Sequence, residues 1–142
     1  MRIGSRDIET SRPYIIAEAG VNHNGDIELA KKLIDAAKRS GADAVKFITF
    51  TTEDIVTENV APPDYHTTNT GIPQSQASML KRLELSHDEF RQLKQYADHV
   101  GIAFLSTPHT NTDTDFLESL NVPAYKVASG DITNSPLLKH IA

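Results

Sequence analysis

The chain has 142 residues, 39% of them apolar and 23% charged, and contains neither cysteine nor tryptophan. That is enough for one ordinary domain, and it excludes disulfide scaffolds, thiolate metal sites and collagen-like or mucin-like chains. A net charge of −5 with no basic block excludes broad nucleic-acid binding, which needs clustered cations, and no run approaches the roughly 20 apolar residues of a membrane span.

The first twenty residues hold no apolar core ahead of a small-residue cleavage site, so no secretory signal is expected. Tyr14 to Glu18, closed by Ala19-Gly20, reads as a buried strand. After the turn-like Asn22-His23-Asn24-Gly25, apolar residues at 29, 30, 33, 34 and 37 predict a helix over Asp26 to Ser40, stopped at Gly41. Ala44 to Ile48 is a second strand. A polar stretch from Thr51 to Gln76, with Pro62-Pro63, Gly71 and Pro73, reads as a long loop of the functional kind. Ser86-His87-Asp88-Glu89 fits a capping box ahead of a helix with Phe90, Leu93, Ala97 and Val100 on one face and Gly101 at its end. Gly101 to Ser106 is a third strand, and Thr112 is placed to cap a helix holding Phe116, Leu117 and Leu120. Ala124 to Ala128 is a fourth strand, and Ser135-Pro136 puts proline at the first position of a last helix.

Strand and helix alternate four times, which predicts an α/β fold of parallel βαβ units. An open doubly wound sheet and a barrel both fit this order. Strands ending in Glu18, Lys46, Ser106-Thr107 and Ser129 favour a TIM-type (β/α) barrel, whose chemistry gathers at those ends. The absence of a Gly-x-Gly-x-x-Gly turn after the first strand argues against a dinucleotide-binding sheet. A full barrel takes about 250 residues, so residues 1–142 are expected to be its N-terminal half, with only the first four units present.

Lys46 and Lys126 sit inside apolar runs at matching places on the second and fourth strands. A lysine there is costly to bury unless it meets an anion, either a neighbouring carboxylate or a ligand. Thr107 and Ser129 add hydroxyl donors, and Gly130 allows a close backbone approach, so the set describes a phosphate or carboxylate cradle. Glu18 either pairs with a lysine or binds substrate hydroxyls and moves protons. Asp131 is a second acid at the same mouth, or a turn residue. His23 and His109 lie in loops after strands and could face a ligand; His66 lies in the long polar stretch, and His87, His99 and His140 lie on or beside helices. No His-x-x-x-His pair or other close cluster occurs, so no metal ligand is assigned in this chain.

Ile16-Ala17-Glu18-Ala19-Gly20 with Asn22-His23-Asn24-Gly25, then Val45-Lys46-Phe47, Met79 to Ser86, Ser106-Thr107-Pro108 and Lys126 to Asp131 follow one another in an order that resembles the sialic acid synthases. These enzymes condense phosphoenolpyruvate with an N-acetylated amino sugar to make nonulosonates. The resemblance runs from about residue 12 to the end. It implies a (β/α)8 barrel, a C-terminal antifreeze-like domain absent from this chain, a cytoplasmic transferase and a homodimer. It implies that Lys46, Lys126, Thr107 and Ser129 bind phosphoenolpyruvate and that Glu18 holds sugar hydroxyls near the aldehyde. Asn22 and His23 would line the sugar pocket, and Asp131 would handle the water or proton of the tetrahedral step.

Three features depart from the family pattern. Ile48 stands where many members have glutamine, and Asp131 where many have glutamate. The histidines that hold the family's divalent cation, Mn2+ or Mg2+, are expected beyond Ala142. Two alternatives accompany this reading: a non-catalytic half-barrel that keeps the cradle, and a related phosphoenolpyruvate-using synthase that extends sugar phosphates. Four units alone would leave the first and fourth strands as open edges, so the isolated chain is expected to be marginal or to pair with a second copy.

Overall fold

A computed structural model describes residues 2–4, 6–8, 12–57 and 75–142. The dipeptides β1 (Arg2–Ile3) and β2 (Arg6–Asp7) form a small antiparallel hairpin. There follow β3 (Ile16–Gly20), α1 (Ile27–Arg39), β4 (Ala44–Thr49), the one-turn helix α2 (Thr52–Ile55), α3 (Gln76–Lys81), α4 (His87–Val100), β5 (Ala103–Pro108), α5 (Asn111–Ser119), a 3-10 turn at Ser129–Asp131 and α6 (Ser135–Ile141). β3, β4 and β5 pair side by side in that order, all parallel. The fold is therefore α/β on a three-stranded parallel sheet.

Local chemistry fixes the helix ends. The Asp26 carboxylate accepts the N–H groups of Glu28 (2.8 Å) and Leu29 (3.1 Å), starting α1. Ser86 and Glu89 form both halves of the expected capping box, with Glu89 taking the Ser86 N–H at 2.8 Å, and α4 stops at Gly101. α1 and α4 bury Ala30, Ile34, Phe90, Leu93 and Ala97 against Val45, Phe47 and Phe104 on one face of the sheet. Phe47 stacks on Phe104 (centroids 5.4 Å apart), and Phe90 meets Phe104 and Phe116 edge-on. At the amino end of the sheet Asp43 accepts the Ile15 N–H (2.8 Å), pairs with Arg12 (3.0 Å) and Arg6, and so ties the leading segment to β4.

Several expectations are corrected. The first strand is not buried: Ile16 and Glu18 are exposed, because β3 is the edge of the described sheet. The third strand begins at Ala103 rather than Gly101, whose backbone instead closes α4, and it runs on to Pro108. The cap of α5 is Thr110, two residues before Thr112; its hydroxyl takes the Asp113 N–H and the Asp113 carboxylate answers at the Thr110 N–H, both at 3.0 Å. Asn134 caps α6, so Pro136 is its second residue rather than its first. The polar stretch contains α2 and the start of α3, while residues 58–74, His66 among them, lie outside the described residues.

The fourth strand does not form. One parallel bridge joins Ser106 to Tyr125, and the Lys126 N–H reaches the Ser106 carbonyl at 3.4 Å. In a parallel ladder alternate residues of a strand bond to the same neighbour. After Ser106 the next residue of β5 facing this segment is Pro108, which has no N–H to give. The ladder therefore ends where it starts.

Candidate functional site

β3 and β4 are in a register that sets Glu18 opposite Lys46, and β4 and β5 set Ile48 opposite Thr107. Side chains alternate across a strand, so Lys46 points away from the helix-covered face that holds Val45 and Phe47. Its ammonium meets Glu18 Oε2 at 2.6 Å and lies 3.4 Å from Thr107 Oγ1, to which it donates. The Lys46 side chain is 7% exposed and that of Glu18 56%. The anion that a buried lysine requires is thus, in this state, the Glu18 carboxylate. That carboxylate is open to solvent, while the ammonium is not.

The aim of Glu18 has a backbone cause. The register slips between Glu18 and Gly20, which pairs with Phe47, so one extra residue bulges β3 at this point. Gly20 adopts φ +53°, and a Cβ there would stand 3.3 Å from Glu18 Oε1. A side chain at this position would be strained and would crowd the carboxylate. Beyond it, the Asn22-His23-Asn24-Gly25 turn packs so closely on the Arg82 backbone that a Cβ on Gly25 would lie 2.3 Å from the Arg82 carbonyl oxygen. The two motifs that the sequence analysis quoted apart, Asn22–Gly25 and Met79–Ser86, meet there.

Of the other expected residues, Asn22 is exposed beside the bulge. His23, in the turn after β3, is buried. Its ring is 1% exposed and packs against Phe47, on the helix side of the sheet. Burial lowers its pKa, opposed by Glu89, and Nδ1 accepts the Gly25 N–H at 3.1 Å, so it braces the turn. Lys126 is exposed and has no ion-pair partner among the described residues; Ser129 is exposed as well. Asp131 is half-buried: one oxygen accepts Asn134 Nδ2 (3.2 Å) and the other lies 3.3 Å from His109 Nδ1. Glu18, Lys46 and Thr107 are therefore one contiguous group, and His109 and Asp131 a second, both at the carboxyl end of the sheet.

Sequence reasoning missed a third cluster beside them. Glu84 accepts both the N–H (2.9 Å) and the hydroxyl (2.6 Å) of Thr52, and Lys81 bridges Glu84 and Glu53 at 3.1 Å each. Burial pushes the Glu84 carboxyl up, but the Thr52 and Lys81 bonds together hold it below its ordinary value. The only signal in the sequence was that Lys81 and Glu84 lie within a quoted motif. Among the described residues no three His, Cys, Asp or Glu side chains converge in a set that could hold a metal ion, and no helix is long and apolar enough to cross a membrane.

The chain is similar to proteins already known. The model of the NeuB family matches residues 33–142. An N,N'-diacetyllegionaminic acid synthase of Legionella pneumophila is 50% identical over 129 residues, covering 91% of this chain and 36% of the relative. An N-acetylneuraminate-9-phosphate synthase of Homo sapiens is 39% identical over 129 residues, with the same two coverages, 91% and 36%. The crystal structure of an N-acetylneuraminic acid (sialic acid) synthetase from Leptospira borgpetersenii superposes with a TM-score of 0.82 at 32% identity, over 99% of this chain and 45% of that one. The chain thus spans little more than a third of the length of these curated relatives.

Proposed function

The chain belongs to the NeuB family, and on that premise we propose that the protein carrying it condenses phosphoenolpyruvate with an N-acetylated amino sugar, giving a nonulosonate and phosphate. The observation that carries this reading is the buried Lys46 ammonium, held between Glu18 and Thr107 at the carboxyl ends of adjacent parallel strands. A buried cation costs stability unless an anion meets it, and here the anion is a solvent-exposed carboxylate, whose place a ligand anion would take.

In this reading Lys46, Thr107, Lys126 and Ser129 bind the phosphate and carboxylate of phosphoenolpyruvate. Glu18, turned from Lys46, takes the hydroxyls of the open-chain sugar next to its aldehyde, with Asn22 at the rim of the pocket. The methylene carbon attacks the aldehyde carbon, and the aldehyde oxygen takes up a proton. Water adds to the cationic centre left behind and Asp131 accepts the proton that this water sheds. The C–O bond to phosphate then breaks as the new hydroxyl passes its proton to the departing phosphate, leaving the keto group. Fixed donors around developing charge supply the stabilisation.

The same reading makes residues 1–142 the N-terminal half of a TIM-type barrel. Continuing the Ser106–Tyr125 register sets Ala124 at the level of Leu105 and Lys46, so Lys126 lies two residues further along the same face. A (β/α)8 barrel with a shear of about 8 steps by about one residue per strand. That offset brings the two lysines to one height across two strand steps. The second half of the barrel, the antifreeze-like domain and the homodimer belong to the proposal, as do the cytoplasmic setting and a divalent cation, Mn2+ or Mg2+, held by residues beyond Ala142. Among the described residues no set of side chains fits such a cation.

The test is turnover by the full-length protein, with manganese supplied. Phosphoenolpyruvate with N-acetylmannosamine or a 2,4-diacetamido-trideoxyhexose should yield phosphate and a keto-sugar acid in equal amounts. Phosphate release with arabinose 5-phosphate alone would replace this reading with the sugar-phosphate one.

A further inference from the structure

We propose that His109 is a positioning residue for Asp131, clamping its carboxylate together with Asn134 in the orientation that receives the proton of the added water; this rests on the reading above. His109 directly follows the last residue of β5, and Asp131 closes the 3-10 turn that comes after Lys126. Their side chains, 28% and 18% exposed, bring Nδ1 to 3.3 Å from Oδ2, and Asn134 Nδ2 donates to Oδ1 at 3.2 Å. Each oxygen of one short carboxylate thus faces its own nitrogen, which leaves further lone pairs for a water.

The histidine is itself held from behind. The Asp113 carboxylate, in a residue 1% exposed, accepts the backbone N–H of His109 at 3.2 Å and that of Thr110 at 3.0 Å. Asp113 and Asp131 are the carboxylates that face His109, one at its backbone and one at its ring. The buried cap of α5 fixes the loop, the loop fixes the ring, and the ring fixes Asp131. Two residues of separate loops are joined here without any ladder between their strands at this level. The proton step is a simple transfer: the water oxygen bonds to the cationic carbon, keeps the electron pair of one O–H bond, and that proton passes to the Asp131 carboxylate. Orientation of such a group is worth about one to two orders of magnitude in rate.

The experiment compares His109→Phe, which removes the ring nitrogen facing Asp131, with His109→Asn, whose amide returns a nitrogen near the place of Nδ1. In the full-length protein His109→Phe should lower kcat by about 10- to 100-fold with KM for phosphoenolpyruvate unchanged, and His109→Asn should recover most of that loss. Added to Asp131→Asn, His109→Phe should cost nothing further, since the two act as one unit. Wild-type kcat in His109→Phe, a loss confined to KM, or multiplied losses in the double variant would overturn the proposal. A wild type that forms no keto-sugar acid would fail the functional reading alone. The pair is then read from the ring 15N shifts of His109: the Nδ1–H tautomer, lost in Asp131→Asn, supports it, and the Nε2–H tautomer in both proteins overturns it.

Discussion

Lys46 lies in β4 and Lys126 on the segment that bridges to β5, and their surroundings differ in almost every respect. Lys46 is in a strand paired on both sides, 6% exposed, with its ammonium between a carboxylate and a hydroxyl. Lys126 is on a segment tied to β5 by one bridge, exposed, and lacks an ion-pair partner among the described residues. What separates them is not the apolar run around each lysine but the supply of backbone partners. β4 pairs with β5 along its whole length and with β3 as far as Phe47, whereas the Tyr125 segment meets a strand whose next facing residue is Pro108. A buried, partnered lysine and an exposed one follow from that one difference in hydrogen bonding.

The contrast can be broken from either side. Gly25→Ala strikes the well-held region: the added Cβ would overlap the Arg82 carbonyl at a φ of +76°. We expect a loss of about 3 kcal/mol, combining the left-handed penalty with overpacking, measured by denaturant unfolding; an unchanged midpoint would show that the turn is not braced by Arg82. Pro108→Ala acts on the loose region by giving β5 the missing N–H. The Lys126 amide should then exchange about fivefold more slowly, as one added hydrogen bond worth about 1 kcal/mol requires, and unaltered exchange would remove proline as the reason the ladder stops.

The smallest effect is expected at the far end of the sheet. The Ile15 N–H first, then Arg6 and Arg12, hold the Asp43 carboxyl below its ordinary value of 3.8 against the opposing pull of burial. With the folded value depressed, its stabilisation is complete above 3.8 and drains away as pH falls through the folded value. Asp43→Asn should therefore melt below wild type at neutral pH, by a margin that solvent and salt keep small. The two should converge as the solution is acidified below that range. A gap that widened on acidification would reverse the assignment.

Much of this was legible in residue order because it is local. Asp26, Ser86 and Glu89 satisfy orphan N–H groups within three residues of themselves, and each helix start they imply is where the chain begins to coil. Thr110-x-x-Asp113 carried the same signal, and Thr112 was read in its place. Lys46 announced itself as a cation in an apolar run, and its carboxylate partner was among the readings open from the start. The rest depends on residues distant in sequence. Glu84 fixes Thr52 from 32 positions away, His23 is turned toward the core by Phe47, and the approach of His109 to Asp131 is set by the loops on which they stand. No periodicity encodes such encounters. The fourth strand had the apolar pattern of a strand and lacked only a partner able to donate.

In the proposed function the Lys46 ammonium is the centre that receives the anionic substrate. Calorimetric titration of phosphoenolpyruvate into full-length wild type, Lys46→Ala and Lys126→Ala tests this directly, with circular dichroism confirming that each is folded. The prediction is a loss of affinity of about 100-fold or more for Lys46→Ala, the scale of a desolvated charge-assisted contact, and a smaller loss, about 10-fold, for the solvent-exposed Lys126. Wild-type affinity in Lys46→Ala would contradict it and leave Lys46 with no partners but Glu18 and Thr107.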